Sequence, residues 1–225
     1  MSTILISGAN RGIGFELARQ FAADGWTVLG TARDPSSAGE LDAISGVTVL
    51  PLDVTQSSSI EALCDALDGR PIDVLIANAG IAFNLEAKPA EVTWEDFLKV
   101  VETNTFAPLA LAAALKPNLL GGELKIATAM SSLMSSIGAN DWGTQYTYRA
   151  SKTGLNAVWS SLAAEWKPDG IICALLRPGL VATRMTNFSG IPVEASVAGM
   201  KAVVTGLTMS DSGRIIGYDG IDVPW

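Results

Sequence analysis

The chain declares its architecture within its first turn: the apolar run Thr3 to Ser7 passes directly into Gly8-Ala9-Asn10-Arg11-Gly12-Ile13-Gly14, and a helical pattern continues through Phe21. A short, uninterrupted apolar run fits a strand buried on both faces of a parallel sheet. Strand, glycine turn and helix in succession form a seat for a phosphate. Gly8 permits the tight turn, Gly12 lets backbone approach a pyrophosphate, and Gly14 lets the helix pack closely, while the helix N-terminus supplies N–H groups and a positive dipole end. The residues between them, Asn10, Arg11 and Ile13, line the same turn. The spacing is G-x-x-x-G-x-G, not the commoner G-x-G-x-x-G, and a glycine turn alone is also compatible with a plain loop.

From Trp26 onward, strands alternate with helices to the end of the chain. Strand patterns run from Trp26 to Ala32, Val47 to Leu50, Ile72 to Ala77, Glu123 to Met130, Ile171 to Leu176 and near Ile215 to Gly217. Helical patterns run from Ser57 to Leu67, Glu91 to Leu115, about Tyr148 to Trp166 and roughly Val193 to Leu207. No repeat, linker or low-complexity tract interrupts them. The expectation is an α/β chain folded as one Rossmann-type, doubly wound parallel sheet of about seven strands flanked by helices on both faces, with residues 1–225 forming a single dinucleotide-binding and catalytic domain.

The strand ends carry the polar residues. Arg33 follows the second strand, where an acidic side chain would take the 2'-hydroxyl of NAD and an arginine the 2'-phosphate of NADP. With Arg11 in the glycine turn, two cations converge there and NADP is favoured; Asp34, one residue on, is the competing group. Asp53-Val54 lies past the third strand, where a carboxylate either accepts from the adenine amine or caps a loop. Asn78-Ala79-Gly80 follows the fourth strand, its small residues allowing close approach of a cofactor.

Two further features bear on chemistry. Pro108 has no N–H, so within a helix the carbonyl of Asn104 loses its usual donor; the outcome is either a simple kink or an anchor for an ordered water. Tyr148 and Lys152 stand one helical turn apart on one face, bringing an ammonium towards a phenol. A fixed positive charge favours the phenolate, so the pair is expected to lower the tyrosine pKa and make a usable proton donor and acceptor. The chain contains no histidine, which leaves acid–base work to Tyr, Lys, Asp, Glu or Cys.

Composition bounds the rest. With 225 residues, 48% hydrophobic and 17% charged, the chain suits one well-buried domain. A formal charge of -8 argues against a nucleic-acid partner. Cys64 and Cys173 lie far apart without metal or redox spacing and are expected to be buried thiols in a reducing compartment. The longest apolar stretch, near Ala107 to Leu115, is too short to span a bilayer, and no cleavable apolar segment opens the chain, so a cytoplasmic protein without a membrane partner is expected.

Taken together, Gly8 to Gly14, Asp53, Asn78-Ala79-Gly80, Asn104, Ser132, Tyr148 to Lys152 and Pro178-Gly179 to Thr183 resemble, in order and across the whole chain, the short-chain dehydrogenase/reductases. The Ser-Gly-Ala-Asn-Arg-Gly-Ile-Gly turn, the Tyr-Arg-Ala-Ser-Lys form and the ending around Tyr218-Asp219-Gly220 and Trp225 resemble the branch that includes the bacterial C-factor proteins and small carbonyl reductases. The resemblance implies NADP(H)-linked hydride transfer on a small carbonyl or alcohol substrate, without a metal. It implies that Tyr148 passes a proton to the carbonyl oxygen, Lys152 tunes the tyrosine and holds the nicotinamide ribose, Ser132 bonds the substrate oxygen and Asn104 holds a relay water. It also implies that Thr183 and the backbone near Val181 hold the nicotinamide amide.

Ser7 stands where the family more often has threonine, keeping a hydroxyl. Ser132 precedes Tyr148 by sixteen positions, about three more than usual, while Ser135 sits at thirteen; Ser132 is preferred because it ends its strand. The short segment between Arg184 and Gly190 suggests an open pocket touched by Leu180, Met185, Phe188 and Trp142. A dinucleotide-binding regulatory protein of the C-factor type is the alternative function, and the apolar stripes on Glu91 to Leu115 and Tyr148 to Trp166 suggest a homodimer or homotetramer.

Overall fold

A computed structural model describes all residues from 1 to 225. Seven parallel strands form one sheet: β1 (Thr3–Ile6), β2 (Thr27–Ala32), β3 (Val47–Pro51), β4 (Val74–Ala77), β5 (Ile126–Met130), β6 (Ile172–Arg177) and β7 (Ile215–Gly217), ordered β3-β2-β1-β4-β5-β6-β7. Register is continuous across the centre, Leu5 of β1 pairing with Leu29 of β2 on one side and Leu75 of β4 on the other.

Because successive strand side chains alternate faces, β1 feeds two cores. Ile4 and Ile6 join Val28, Ile76 and Leu176 beneath helices α1 (Gly12–Ala23), α2 (Gly39–Asp42) and α8 (Val193–Gly206), through Leu17, Phe21, Leu41, Val197 and Met200. Leu5, Leu29, Leu75 and Leu175 face the other layer: α3 (Ser57–Leu67), α5 (Ala107–Ala114), α6 (Lys116–Gly121) and α7 (Tyr146–Trp166). Trp159 of α7 is fully buried there, its indole N–H donating to Ala127 O at 3.3 Å. Covered on both faces, the central strands are apolar throughout, as parallel sheets require.

The stretch Glu91 to Leu115 is not one kinked helix. Thr93 caps α4 (Trp94–Val101) by accepting from Asp96 N at 3.1 Å; a π-helical turn, Glu102–Phe106, follows, and α5 starts just before Pro108. Across that turn the Ala107 N–H reaches back five residues to Glu102 O, so a widened turn precedes the proline and presents Asn104 to the interior.

The sheet reverses winding between β1 and β4. Their carboxyl ends therefore border the crevice where doubly wound folds take ligands, and Ser7-Gly8 and Asn78-Ala79 meet at that point.

Candidate active site at the carboxyl edge of the sheet

Ser7, just past β1, locks the crevice. Its hydroxyl oxygen accepts from the main-chain N–H groups of both Asn78 and Ala79, each at 3.0 Å, and the Asn78 side-chain amide returns bonds to Ser7 O at 2.9 Å and Gly8 O at 3.1 Å. Gly8 and Gly12 have φ of +67° and +56°, conformations that L side chains rarely adopt. Gly14 is fixed by proximity instead: a Cβ there would stand 2.2 Å from Gly8 O and 2.6 Å from Asn78 Nδ2. Helix α1 opens with no side-chain cap and no acidic residue in its first turn, so its positive end faces the crevice beside exposed Asn10 and Arg11 and half-buried Ile13.

At the far end of β2, Arg33 and Asp34 are both exposed. The Asp34 carboxylate is occupied in its own turn, one oxygen accepting from Ser36 N at 2.9 Å and Ser36 Oγ at 2.6 Å. Asp53 likewise accepts from Thr55 N and Thr55 Oγ1, at 3.0 and 2.7 Å. These bonds, helped by the nearby Arg33 charge, hold its carboxyl below the usual range. Asp53 thus closes a loop with one oxygen, while neighbouring Val54 packs against the core.

At the centre, Asn104 is fully buried: its carbonyl oxygen accepts from Ile81 N at 2.9 Å, and its amide donates to Ile81 O at 2.8 Å and Ser151 Oγ at 3.1 Å. The side chain therefore pins the loop after Gly80 to α7. Any Cβ on Gly80 would approach Asn104 Oδ1 to 3.2 Å and Lys152 Nζ to 3.7 Å, which draws Asn104, Gly80 and Lys152 into one cluster.

Tyr148 lies in the first turn of α7, and Ser132 is the side chain that opposes the effect of burial on its phenol. Ser132 Oγ accepts from Met134 N at 3.1 Å, capping a short 3-10 turn. Ser135 is buried, donating to Ser132 O at 2.6 Å and accepting from Ser131 Oγ at 3.1 Å. The pair of serines that sequence spacing leaves in competition is thus split: one faces Tyr148, the other the interior.

The expected depression of the Tyr148 pKa is not found. Lys152, 4% exposed, sends its ammonium to Met130 O at 2.7 Å, and it stands 5.8 Å from the Tyr148 ring centroid. Burial disfavours charge on both groups. It pushes the phenol up, against the opposing pull of Ser132, and brings Lys152 down to about 8.

The loop after β6 completes the crevice. Gly179 has φ +83° with the Tyr218 ring against its α-carbon, Pro178 O accepts from Ser196 Oγ at 2.6 Å, and Val181 is buried with its carbonyl held by Thr186 Oγ1 at 2.5 Å. Thr183 crosses back to the glycine turn, its methyl 3.7 Å from the Cβ position of Gly12. Leu180, Met185 and Phe188 stand exposed, and Trp142 lies over the Arg149 guanidinium at 4.6 Å.

Sequence reasoning missed the double acceptor role of Ser7, the tie from Asn104 to Ser151 and the Met130 carbonyl that takes Lys152. Ser151 was visible inside the motif, but a serine in mid-helix points to no particular partner. Met130 O is main chain and leaves no signal in the sequence.

Known proteins share this arrangement. A family profile described as Enoyl-(Acyl carrier protein) reductase matches residues 8–217. The C-signal protein of Myxococcus xanthus is 37% identical over 69% of this chain and 93% of its own. The 1-hydroxy-2-glutathionyl-2-methyl-3-butene dehydrogenase of a Rhodococcus species is 33% identical over the whole of both chains. Among solved structures, the NADPH-bound carbonyl reductase from chicken fatty liver superposes with a TM-score of 0.92, at 31% identity, covering 100% of this chain and 99% of its own. Sheet order, crevice and these likenesses agree, and the chain belongs to the short-chain dehydrogenase/reductase family of oxidoreductases.

Proposed function

We propose that this chain is an NADP(H)-dependent oxidoreductase that interconverts a small ketone or aldehyde with its alcohol. The observation that carries the reading is the grouping of Ser132 and Tyr148 with buried Lys152 and Asn104 at the edge of the crevice. When bound, the dinucleotide supplies or accepts the hydride. Tyr148 gives its phenolic proton to the carbonyl oxygen during reduction, and Ser132 donates to that same oxygen. Lys152 orients the nicotinamide ribose, and the Asn104 carbonyl, in the π turn that precedes Pro108, takes a water that relays protons from solvent.

The residues present fit NADP(H). The uncapped start of α1 and the left-handed Gly8 and Gly12 of the turn before it suit a pyrophosphate. Gly8, Asn10, Arg11, Gly12, Ile13 and Gly14 hold it, Arg33 takes the 2'-phosphate while Asp34 is turned into its own cap, and Asp53-Val54 borders the adenine. Asn78, Ala79 and Gly80 pack along the cofactor, and Pro178, Gly179, Val181 and Thr183 hold the nicotinamide end. Several solved relatives, the chicken enzyme among them, carry NADP or NADPH.

The test is NADPH oxidation against a panel of ketones and aldehydes, with NADH and Tyr148→Phe alongside. Turnover that prefers NADPH and disappears in the variant supports the reading; turnover retained by Tyr148→Phe sinks it. The likeness to C-signal keeps a second reading, a dinucleotide-binding regulatory protein, and tight NADPH binding without turnover on the panel would favour it. We also propose a homodimer or homotetramer, supported by exposed Trp94, Leu98 and Phe106 along α4 and the π turn, and a cytoplasmic setting, supported by the free thiols of Cys64 and Cys173.

A further inference from the structure

The residue inside the Tyr148–Lys152 motif with no assigned role is Arg149. It is buried, it forms no ion pair, and its guanidinium reaches three main-chain carbonyls instead: Nε donates to Gly143 O at 3.2 Å and Thr144 O at 3.1 Å, and Nη1 to Met134 O at 3.4 Å. The face of the guanidinium lies on Trp142, and Nη2 has no partner. A buried cation without a carboxylate is an expensive way to fill space, and an apolar side chain would do that more cheaply. Only arginine offers a rigid fork of donors that can hold separate carbonyls at once.

Those carbonyls belong to the two ends of the long segment joining Ser132 to Tyr148. At the near end, Met134 is held through its carbonyl by Arg149 and through its N–H donates to Ser132 Oγ. That donation anchors the Ser132 oxygen on the side of Tyr148. At the far end, Gly143, Thr144 and Gln145 have φ of 70°, 60° and 56°, three left-handed residues in succession leading into α7. Threonine is β-branched and resists that conformation, so the run needs external support. Arg149 Nε supplies it at two of the three carbonyls, and the Arg149 N–H donates to Gln145 O, the third, at 2.8 Å.

We propose that Arg149 is a positioning residue: by holding Met134 together with Gly143 and Thr144, it sets the Ser132 hydroxyl against the Tyr148 phenol. The inference rests on the oxidoreductase reading but is measurable without turnover. Ser132 is the one side chain that opposes burial at Tyr148, and Lys152 lies over that ring at 5.8 Å from its centroid. Loss of Arg149 therefore lets Ser132 swing away and raises the Tyr148 titration.

The experiment compares the full-length protein with Arg149→Met, Arg149→Lys, Thr144→Gly and the combination of Thr144→Gly with Arg149→Met. Tyr148 is titrated by nuclear magnetic resonance on ring-labelled tyrosine, assigned with Tyr148→Phe, and kcat and the KM for NADPH are measured in parallel. Arg149→Met is expected to raise the Tyr148 pKa and to lower kcat about tenfold or more, with the KM for NADPH within about twofold. Adding Thr144→Gly is expected to restore part of that loss, because glycine takes the left-handed conformation without help. Should Arg149→Met not fold, Arg149→Lys with and without Thr144→Gly carries the same comparison. An unchanged Tyr148 titration, or a loss of kcat that Thr144→Gly leaves untouched, overturns the proposal. A parent protein inactive on every substrate, whose Tyr148 titration nevertheless shifts in Arg149→Met, sinks the oxidoreductase reading and leaves the positioning role standing.

Discussion

Lys152 and Tyr148 share a face of α7, the ammonium lying over the phenol ring at 5.8 Å from its centre while its hydrogen bond goes to Met130 O at 2.7 Å. A buried ammonium costs stability wherever it remains protonated. Its folded pKa, about 8, lies below its ordinary 10.5, so between these values the unfolded chain binds the extra proton and stability rises with pH. Lys152→Met should therefore be more stable than the parent below pH 8, by about 2 kcal/mol after about 1 kcal/mol is allowed for the orphaned Met130 carbonyl. The advantage should shrink as pH approaches 10.5. Burial also pushes Cys173 up to about 12, which lowers stability above its ordinary range in both proteins and cancels in the difference. Chemical denaturation at a series of pH values checks this, and a difference that stays flat with pH refutes it.

Ser132 and Ser135 should separate cleanly. Ser132 is the side chain that opposes burial at the Tyr148 phenol, while Ser135 donates to Ser132 O inside the fold. Ser132→Ala is expected to lower kcat about 100-fold or more, in line with loss of one donor to a developing oxyanion. Ser135→Ala should leave kcat within about threefold and cost about 1 kcal/mol of stability. If Ser135→Ala is the dead variant, the site is built around the wrong serine.

The sheet was legible because its signals are local. Apolar runs at Thr3 to Ser7 and Ile171 to Leu176, bounded by glycine and proline, leave few alternatives to a buried parallel strand, and α3 begins and ends where its amphipathic pattern does, at Ser57 and Leu67. What escaped was decided by main chain and burial. The π turn at Glu102–Phe106 has no residue signature beyond Pro108, the proline that blocks the next helical bond. The short helices α2 and α6 are too brief for periodicity to register. The Tyr148 pKa went the other way because spacing along a helix gives the side a lysine faces but not the carbonyl, Met130 O, that takes its ammonium.

Cofactor preference should rest on Arg33 rather than Asp34. Arg33 is exposed at the end of β2, and the Asp34 carboxylate is engaged by Ser36. Arg33→Ala is expected to weaken NADPH about 10- to 100-fold, the worth of one hydrogen bond to a charged group, and NADH by less than about threefold. Asp34→Ala should loosen its own 3-10 turn and leave the preference in place. Fluorescence titration with both cofactors decides it, and equal losses for NADPH and NADH in Arg33→Ala would remove the 2'-phosphate assignment.

Three glycine-to-alanine substitutions should diverge according to what each new methyl meets. At Gly14 it would sit 2.2 Å from Gly8 O and 2.6 Å from Asn78 Nδ2, so α1 must move away from the crevice that Ser7 and Asn78 hold closed. NADPH binding and thermal stability should fall together. At Gly12 there is room, the nearest atom being Thr183 Cγ2 at 3.7 Å, but φ is +56°; the cost is backbone strain of about 1–2 kcal/mol. At Gly39, in α2, nothing lies within 4 Å and φ is not positive, so alanine should stabilise the protein by up to about 1 kcal/mol through helix propensity. Thermal unfolding of the three variants gives the order directly. A Gly14→Ala protein that matches the parent in both melting and NADPH affinity would mean that close packing at the head of α1 does not shape the cofactor seat.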